Sequence, residues 1–131
     1  MEGILTFDVG TTAIKTCLFD KALNCLAIRT DEYTLSTELG TVELDCNVYW
    51  NTICLAVAEM KKAVPEVQVQ AICLTTQGET MIPVTEDGTP LHRAVVWLDD
   101  RAKDQAERIS KILPTKEMYA LTGVTDMNGF V

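Results

Sequence analysis

The sequence predicts a mixed α/β fold, a mixed β-sheet with helices packed on it, and three observations lead there. Short apolar strands near residues 3–8, 14–20 and 25–33 follow one another across tight turns at "VGTT" and "DKALN". A segment of helical period follows near 47–64. The run "VQAICLTT", about 69–76, is apolar enough for a strand buried on both faces, as a parallel or central strand under helical cover would be.

Each element has a local reason. Short successive connections favour an antiparallel meander for the first three strands, with Gly10 expected to supply the positive φ of the first turn. The polar loop "STELGTVELD" precedes the first helix, where Tyr49, Ile53, Ala56, Val57, Met60 and Val64 recur at helical spacing. Asp45 or Asn47 caps its start, Lys61 and Lys62 suit its C-terminal dipole, and Pro65 stops it. Beyond the apolar strand, "MIPV" and "RAVVW" flank "TEDGTPLH", whose Asp87 and Gly88 signal a hairpin. A second helix is predicted over about 100–113, with Ala102, Ala106, Ile109 and Leu113 on one stripe, Asp99 and Asp100 at its start and Pro114 beyond its end. The closing stretch "YALTGVTDMNGFV" carries no terminating element and reads as the middle of a connection, so a truncated chain is expected.

At 131 residues, 47% hydrophobic and 23% charged, the chain is long enough for a single domain (1–131) with a core. Its net charge of −8 and pI near 4.5 argue against nucleic-acid or anionic-membrane partners, which need a basic face. No apolar run approaches the roughly 20 residues of a membrane helix, and no signal sequence opens the chain, so the expected location is cytoplasmic. Cys17, Cys25, Cys46, Cys54 and Cys73 lack CxxC spacing and read as reduced, buried thiols.

Three stretches can carry chemistry. In "FDVGTTAIK", backbone amides around the turn at Gly10 can form a nest for anionic oxygens. Thr11 and Thr12 can donate hydroxyls to it, Asp8 can hold Mg²⁺ directly or through water, and Lys15 can add a point charge. That set suits phosphoryl transfer; a plain hairpin in which Asp8 accepts turn amides is the alternative. In "TTQGET", at the carboxyl end of the apolar strand, Gln77 and Glu79 are placed to hydrogen-bond a polyol, or else to satisfy local backbone. In "WLDDRA", Trp97 and Asp99 could form the wall of a sugar site. The plainer reading makes Trp97 a core aromatic, Asp99 or Asp100 a helix cap, and Arg101 a surface partner. His92, in a predicted turn, reads as a solvated surface histidine.

In this order, "FDVGTTAIK", "GTVELD" followed by Trp50, "TTQGET" and "AVVWLDDRA" resemble the N-terminal part of the FGGY family of carbohydrate kinases, over nearly the whole chain. The resemblance implies a ribonuclease-H-like, actin-like ATPase fold of two domains closing over ATP and a sugar, of which this chain holds an incomplete N-terminal domain. It implies that Asp8 is the acid associated with Mg²⁺ and the transferred phosphate, that Gly10, Thr11 and Thr12 form the phosphate loop, and that Gln77, Gly78 and Glu79 meet the substrate. No catalytic base is assignable in this chain; the resemblance puts it downstream, so the fragment alone is expected to be inactive. Truncation would also leave apolar surface uncovered, consistent with a homodimer of the fragment.

The sequence departs from the family pattern in ways that bear on substrate. Glycerol kinases carry arginine where this chain has Gly78, and xylulokinases typically read Gln-Met-His-Gly where it has Gln77, Gly78 and Glu79. The "WLDDRA" stretch is nearer the xylulokinase group, which favours a ketose over glycerol. The rival reading from another class is an actin-like or heat-shock-chaperone-like ATPase, which shares the strand-Asp-Gly-Thr hairpin. The region 75–101 discriminates against it, having no counterpart there. A small non-catalytic binding module is the third reading.

Overall fold

The structure, a computed structural model, describes residues 1–124. Its elements run β1 (Glu2–Val9), β2 (Ala13–Asp20), β3 (Cys25–Glu32), β4 (Glu43–Leu44), α1 (Cys46–Ala63), β5 (Gln68–Thr76), β6 (Ala94–Val95), α2 (Lys103–Ser110) and α3 (Thr115–Thr122). They fall into two compact units, Met1–Leu35 with Asp45–Gly78, and Ser36–Leu44 with the chain from Glu79 onward.

The first unit is a four-stranded sheet in the order β3-β2-β1-β5. The predicted meander is present, β1 pairing antiparallel with β2 and β2 with β3. β5 returns parallel to β1, after a connection that includes α1, so the sheet is mixed as expected. Alternation decides which face is packed: Leu5, Phe7 and Val9 of β1 and Ile14 and Leu18 of β2 point inward and join Ala56 and Met60 of α1 in one cluster. Asp45 caps α1, its carboxylate accepting from the Asn47 amide, and Lys61 and Lys62 occupy the last turn.

Two expectations are corrected here. β5 is not buried on both faces; all nine of its residues are exposed, because it lies at the edge of the sheet and α1 covers the β2 and β3 side. An apolar groove of about 480 Å³ opens there, lined by Phe7, Trp50, Ile53, Val57, Ile72 and Leu74. Nor are the cysteines buried: none of the five forms a disulfide, but Cys25, Cys54 and Cys73 are exposed and Cys17 and Cys46 half-buried.

In the second unit, β4 and β6 pair antiparallel inside what reads in sequence as a polar loop and one arm of a hairpin. The hairpin itself is reduced to single bridges, Met81 with Val95 and Val84 with Pro90, closed by Gly88 at φ +85°. The second helix is shorter than predicted, and α3 fills a stretch read as a connection. Pro114 stands at its N-terminal cap, and Gly123, at φ +76°, ends it in the left-handed conformation that glycine adopts without cost. Among the described residues, Leu44, Ala94, Val96, Ala106 and Met118 are this unit's buried apolar residues. The remainder of the closing stretch, 125–131, lies outside the described residues.

Thr16 sits in β2 between Ile14 and Leu18, fully buried, with a hydroxyl that has no hydrogen-bond partner among the described residues. Such a group costs about 1–3 kcal/mol of desolvation with nothing in return. Thr16→Val, which replaces that hydroxyl by a methyl of similar size, is expected to stabilise the chain by about 1 kcal/mol, read as a higher urea midpoint at unchanged slope.

Candidate functional site

β1 ends at Asp8 and Val9, and the chain reverses through Gly10, Thr11 and Thr12 into β2. The turn closes by a hydrogen bond from the Gly10 amide to the Ala13 carbonyl, 2.9 Å. Gly10 suits the turn for a different reason from the one expected. It does not have positive φ; a Cβ there would stand 3.1 Å from the Ala13 carbonyl oxygen, so glycine permits a close backbone approach. Asp8 and Lys15 are cross-strand partners, both exposed, and Thr75 of β5 lies opposite Asp8 on the other side.

Tyr33, immediately after β3, holds this turn. Its amide donates to the Thr12 carbonyl at 2.9 Å, and its hydroxyl donates to the Gly10 carbonyl. Burial, then the neighbouring Tyr49 and Asp8, pushes the Tyr33 phenol well above its usual pKa, so it remains a donor. Its ring meets that of Tyr49 edge-on, centroids 5.6 Å apart and planes at 84°. Tyr49 in turn accepts from Gln77 Nε2 at 3.0 Å, and the Gln77 amide donates to the Val9 carbonyl at 2.8 Å. The sheet thus brings Gln77 beside the turn that follows Asp8. The Oε1 of Gln77 is buried and has no partner among the described residues.

Of the residues singled out by sequence, Asp8, Gly10, Thr11, Thr12, Lys15, Gln77 and Gly78 lie in the first unit, and Glu79, Trp97 and Asp99 in the second. Glu79 has φ +62°, while neighbouring Gly78 has no positive φ. A glutamate in the left-handed region costs of order 1 kcal/mol or more, and strain of this kind clusters where function fixes the backbone. Thr80 Oγ1 is also buried without a partner, so two of the three such side-chain atoms among the described residues fall within residues 75–80.

Asp99 does not cap α2, whose cap position is Ala102 and makes no side-chain bond. It is buried, each carboxylate oxygen accepting two hydrogen bonds: Oδ1 from the Arg101 amide at 2.9 Å and Nε at 2.7 Å, Oδ2 from the Val42 amide at 2.6 Å and Arg101 Nη2 at 2.8 Å. Arg101 continues to Glu43 at 2.6 Å, which Arg93 approaches at 3.3 Å. Glu43 and Arg101 were thus missed as a pair; only the charge at each end of the segment signals it. Trp97 is 41% exposed, which excludes a fully buried core aromatic. His92 is exposed, with Nε2 4.0 Å from Glu43.

The Arg101 hydrogen bonds, aided by the Val42 amide, hold the Asp99 carboxyl at about 2, well below the usual carboxylate range. A depressed carboxylate adds stability above its unfolded pKa and loses it as pH falls through the folded one. This group therefore contributes about 2 kcal/mol at neutral pH, lost between about pH 4 and pH 2. Asp99→Asn should remove that acid-side loss from the pH dependence of stability and lower stability at pH 7, measured by urea titration at each pH.

Among the described residues, no group of three or more His, Cys, Asp or Glu side chains could hold a metal ion, and no helix is long and apolar enough to cross a membrane.

Comparison with known proteins gives this geometry a setting. The chain is 35% identical over 112 residues to a glycerol kinase of Mycoplasma capricolum, an alignment that covers 82% of this chain and 22% of that protein. The structure superposes on Plasmodium falciparum glycerol kinase with ADP at a TM-score of 0.84, 25% identity, 99% of this chain and 27% of that one. On ligand-bound xylulose kinase from Lactobacillus acidophilus it gives a TM-score of 0.83 at 23% identity, covering 92% and 24%. The chain thus spans about a fifth to a quarter of the length of these relatives, and their fold is the one it adopts in part. Residues 3–131 match the N-terminal domain of the FGGY family of carbohydrate kinases, and the chain belongs to that family.

Proposed function

We propose that the complete protein carrying this chain transfers the γ-phosphoryl group of MgATP to a hydroxyl of a sugar or polyol, with a ketose of the xylulose type favoured. The observation that carries the reading is the position of Gln77: hydrogen-bonded to Val9, it stands beside the turn after Asp8 with a buried oxygen that has no partner among the described residues. A hydroxyl-bearing substrate supplies a donor for it.

In this reading Gly10, Thr11 and Thr12 bind phosphate oxygens, Lys15 adds positive charge, and Gln77, Gly78, Glu79 and Trp97 orient the acceptor. Asp99 serves the acceptor side by fixing the Val42 and Arg101 backbone, since its own oxygens are already engaged. A single exposed carboxylate fits Mg²⁺, which usually takes one or two protein carboxylates together with substrate phosphates and water; Asp8 would hold it. When bound, the ion neutralises charge on the transferring phosphoryl group. Five cysteines without a disulfide suit a reducing cytoplasm. A second reading, glycerol as acceptor, is favoured by the 35% identity to a glycerol kinase and opposed by Gly78, which leaves no guanidinium at that position.

The test is ADP release from MgATP by the complete gene product across xylulose, ribulose, other ketoses, gluconate and glycerol, with Asp8→Ala alongside. One acceptor should stimulate release strongly, and the variant should lose at least about a hundredfold. Hydrolysis indifferent to every acceptor would instead favour the actin-like or chaperone-like ATPase.

A further inference from the structure

An anion-binding turn works only if its amide hydrogens converge on one side, and something must hold the carbonyls on the other. In a trans peptide the N–H points opposite to the C=O, so fixing a carbonyl aims the following amide. Tyr33 fixes two. Its hydroxyl takes the Gly10 carbonyl and its amide the Thr12 carbonyl, which directs the N–H groups of Thr11 and Ala13 away from Tyr33.

The side occupied by Tyr33 is itself unsuited to phosphate. An open concavity there is lined by Thr12, Glu32, Tyr33 and Thr34, and the Glu32 carboxylate would repel an anion. The Tyr33 ring is braced in turn by Tyr49, whose hydroxyl holds Gln77. A closed circuit results: turn, Tyr33, Tyr49, Gln77, and back to the turn through the Val9 carbonyl.

We propose that Tyr33 is a positioning residue that orients the 9–12 turn for phosphate through its hydroxyl, acting on the nucleotide without touching it. The proposal rests on the kinase reading for the identity of the anion, a nucleotide phosphate chain.

Tyr33→Phe isolates the hydroxyl, because it keeps the ring pair with Tyr49 and the backbone bond to Thr12. In the complete gene product, calorimetric Kd values for MgADP and for adenosine are compared in wild type and variant, with the melting temperature measured on the same samples. Loss of one oriented hydrogen bond should weaken MgADP roughly fivefold to tenfold and leave adenosine within about twofold. The KM for MgATP should rise in parallel while that for the acceptor stays within about twofold. A merely structural role would lower the melting temperature and weaken both ligands alike, and that result, or a MgADP affinity changed less than about twofold, overturns the proposal. If no acceptor stimulates ADP release by the wild type, the kinase reading fails while the two Kd values still decide the role of Tyr33. Wild-type protein that binds MgADP no more tightly than adenosine overturns it as well, since the turn then holds no phosphate.

Discussion

The arrangement depends on one strand serving two pairings of opposite sense. β1 takes β2 antiparallel on one side and β5 parallel on the other. The antiparallel partner forces a tight turn at the end of β1, and the parallel partner must then finish at that same end. Asp8 and its turn are therefore set beside Gln77 by topology, and the bond from the Gln77 amide to the Val9 carbonyl locks the result. No other register of β5 would put an amide side chain there without moving Ile72 and Leu74 to the opposite face.

What sequence could reveal followed from how local each cause is. The three first strands and α1 were legible because alternation, helical spacing, Asp45 and the terminal lysines all lie within their own segments. β5 is legible as a strand, parallel or central under helical cover; it is parallel to β1, but its apolar run says nothing of what covers it, and it stands at an edge rather than in the centre. The start of α2 was misplaced because Asp99 is drawn to Val42, 57 residues away in sequence, a competition that no capping rule contains. α3 had its signals, Pro114 before it and Gly123 after it, yet its apolar stripe is too weak to separate from a loop.

The candidate site divides along the same line. Asp8, Gly10, Thr11, Thr12 and Gln77 were readable as motif residues. Their support was not: Tyr33 looks like one more residue at the end of β3, and Tyr49 like one more helix position facing the sheet. Both act through hydrogen bonds and a ring contact reaching 16 or more residues along the chain. Asp99 shows the converse. Its motif suggests a ligand-facing acid, while its four hydrogen bonds make it the internal brace of the second unit, with Arg101 and Glu43 completing the charge balance. Burying that carboxylate is tolerable only because every acceptor position is used.

The central claim is that the turn after Asp8 is a phosphate site adjoining Gln77. A crystal structure of the complete gene product with MgADP tests it most directly. The account predicts phosphate oxygens within hydrogen-bond distance of the turn amides and Thr hydroxyls, with the Asp8 carboxylate directed at the metal or its water. Phosphates bound elsewhere, with the turn unchanged and out of their reach, would contradict it.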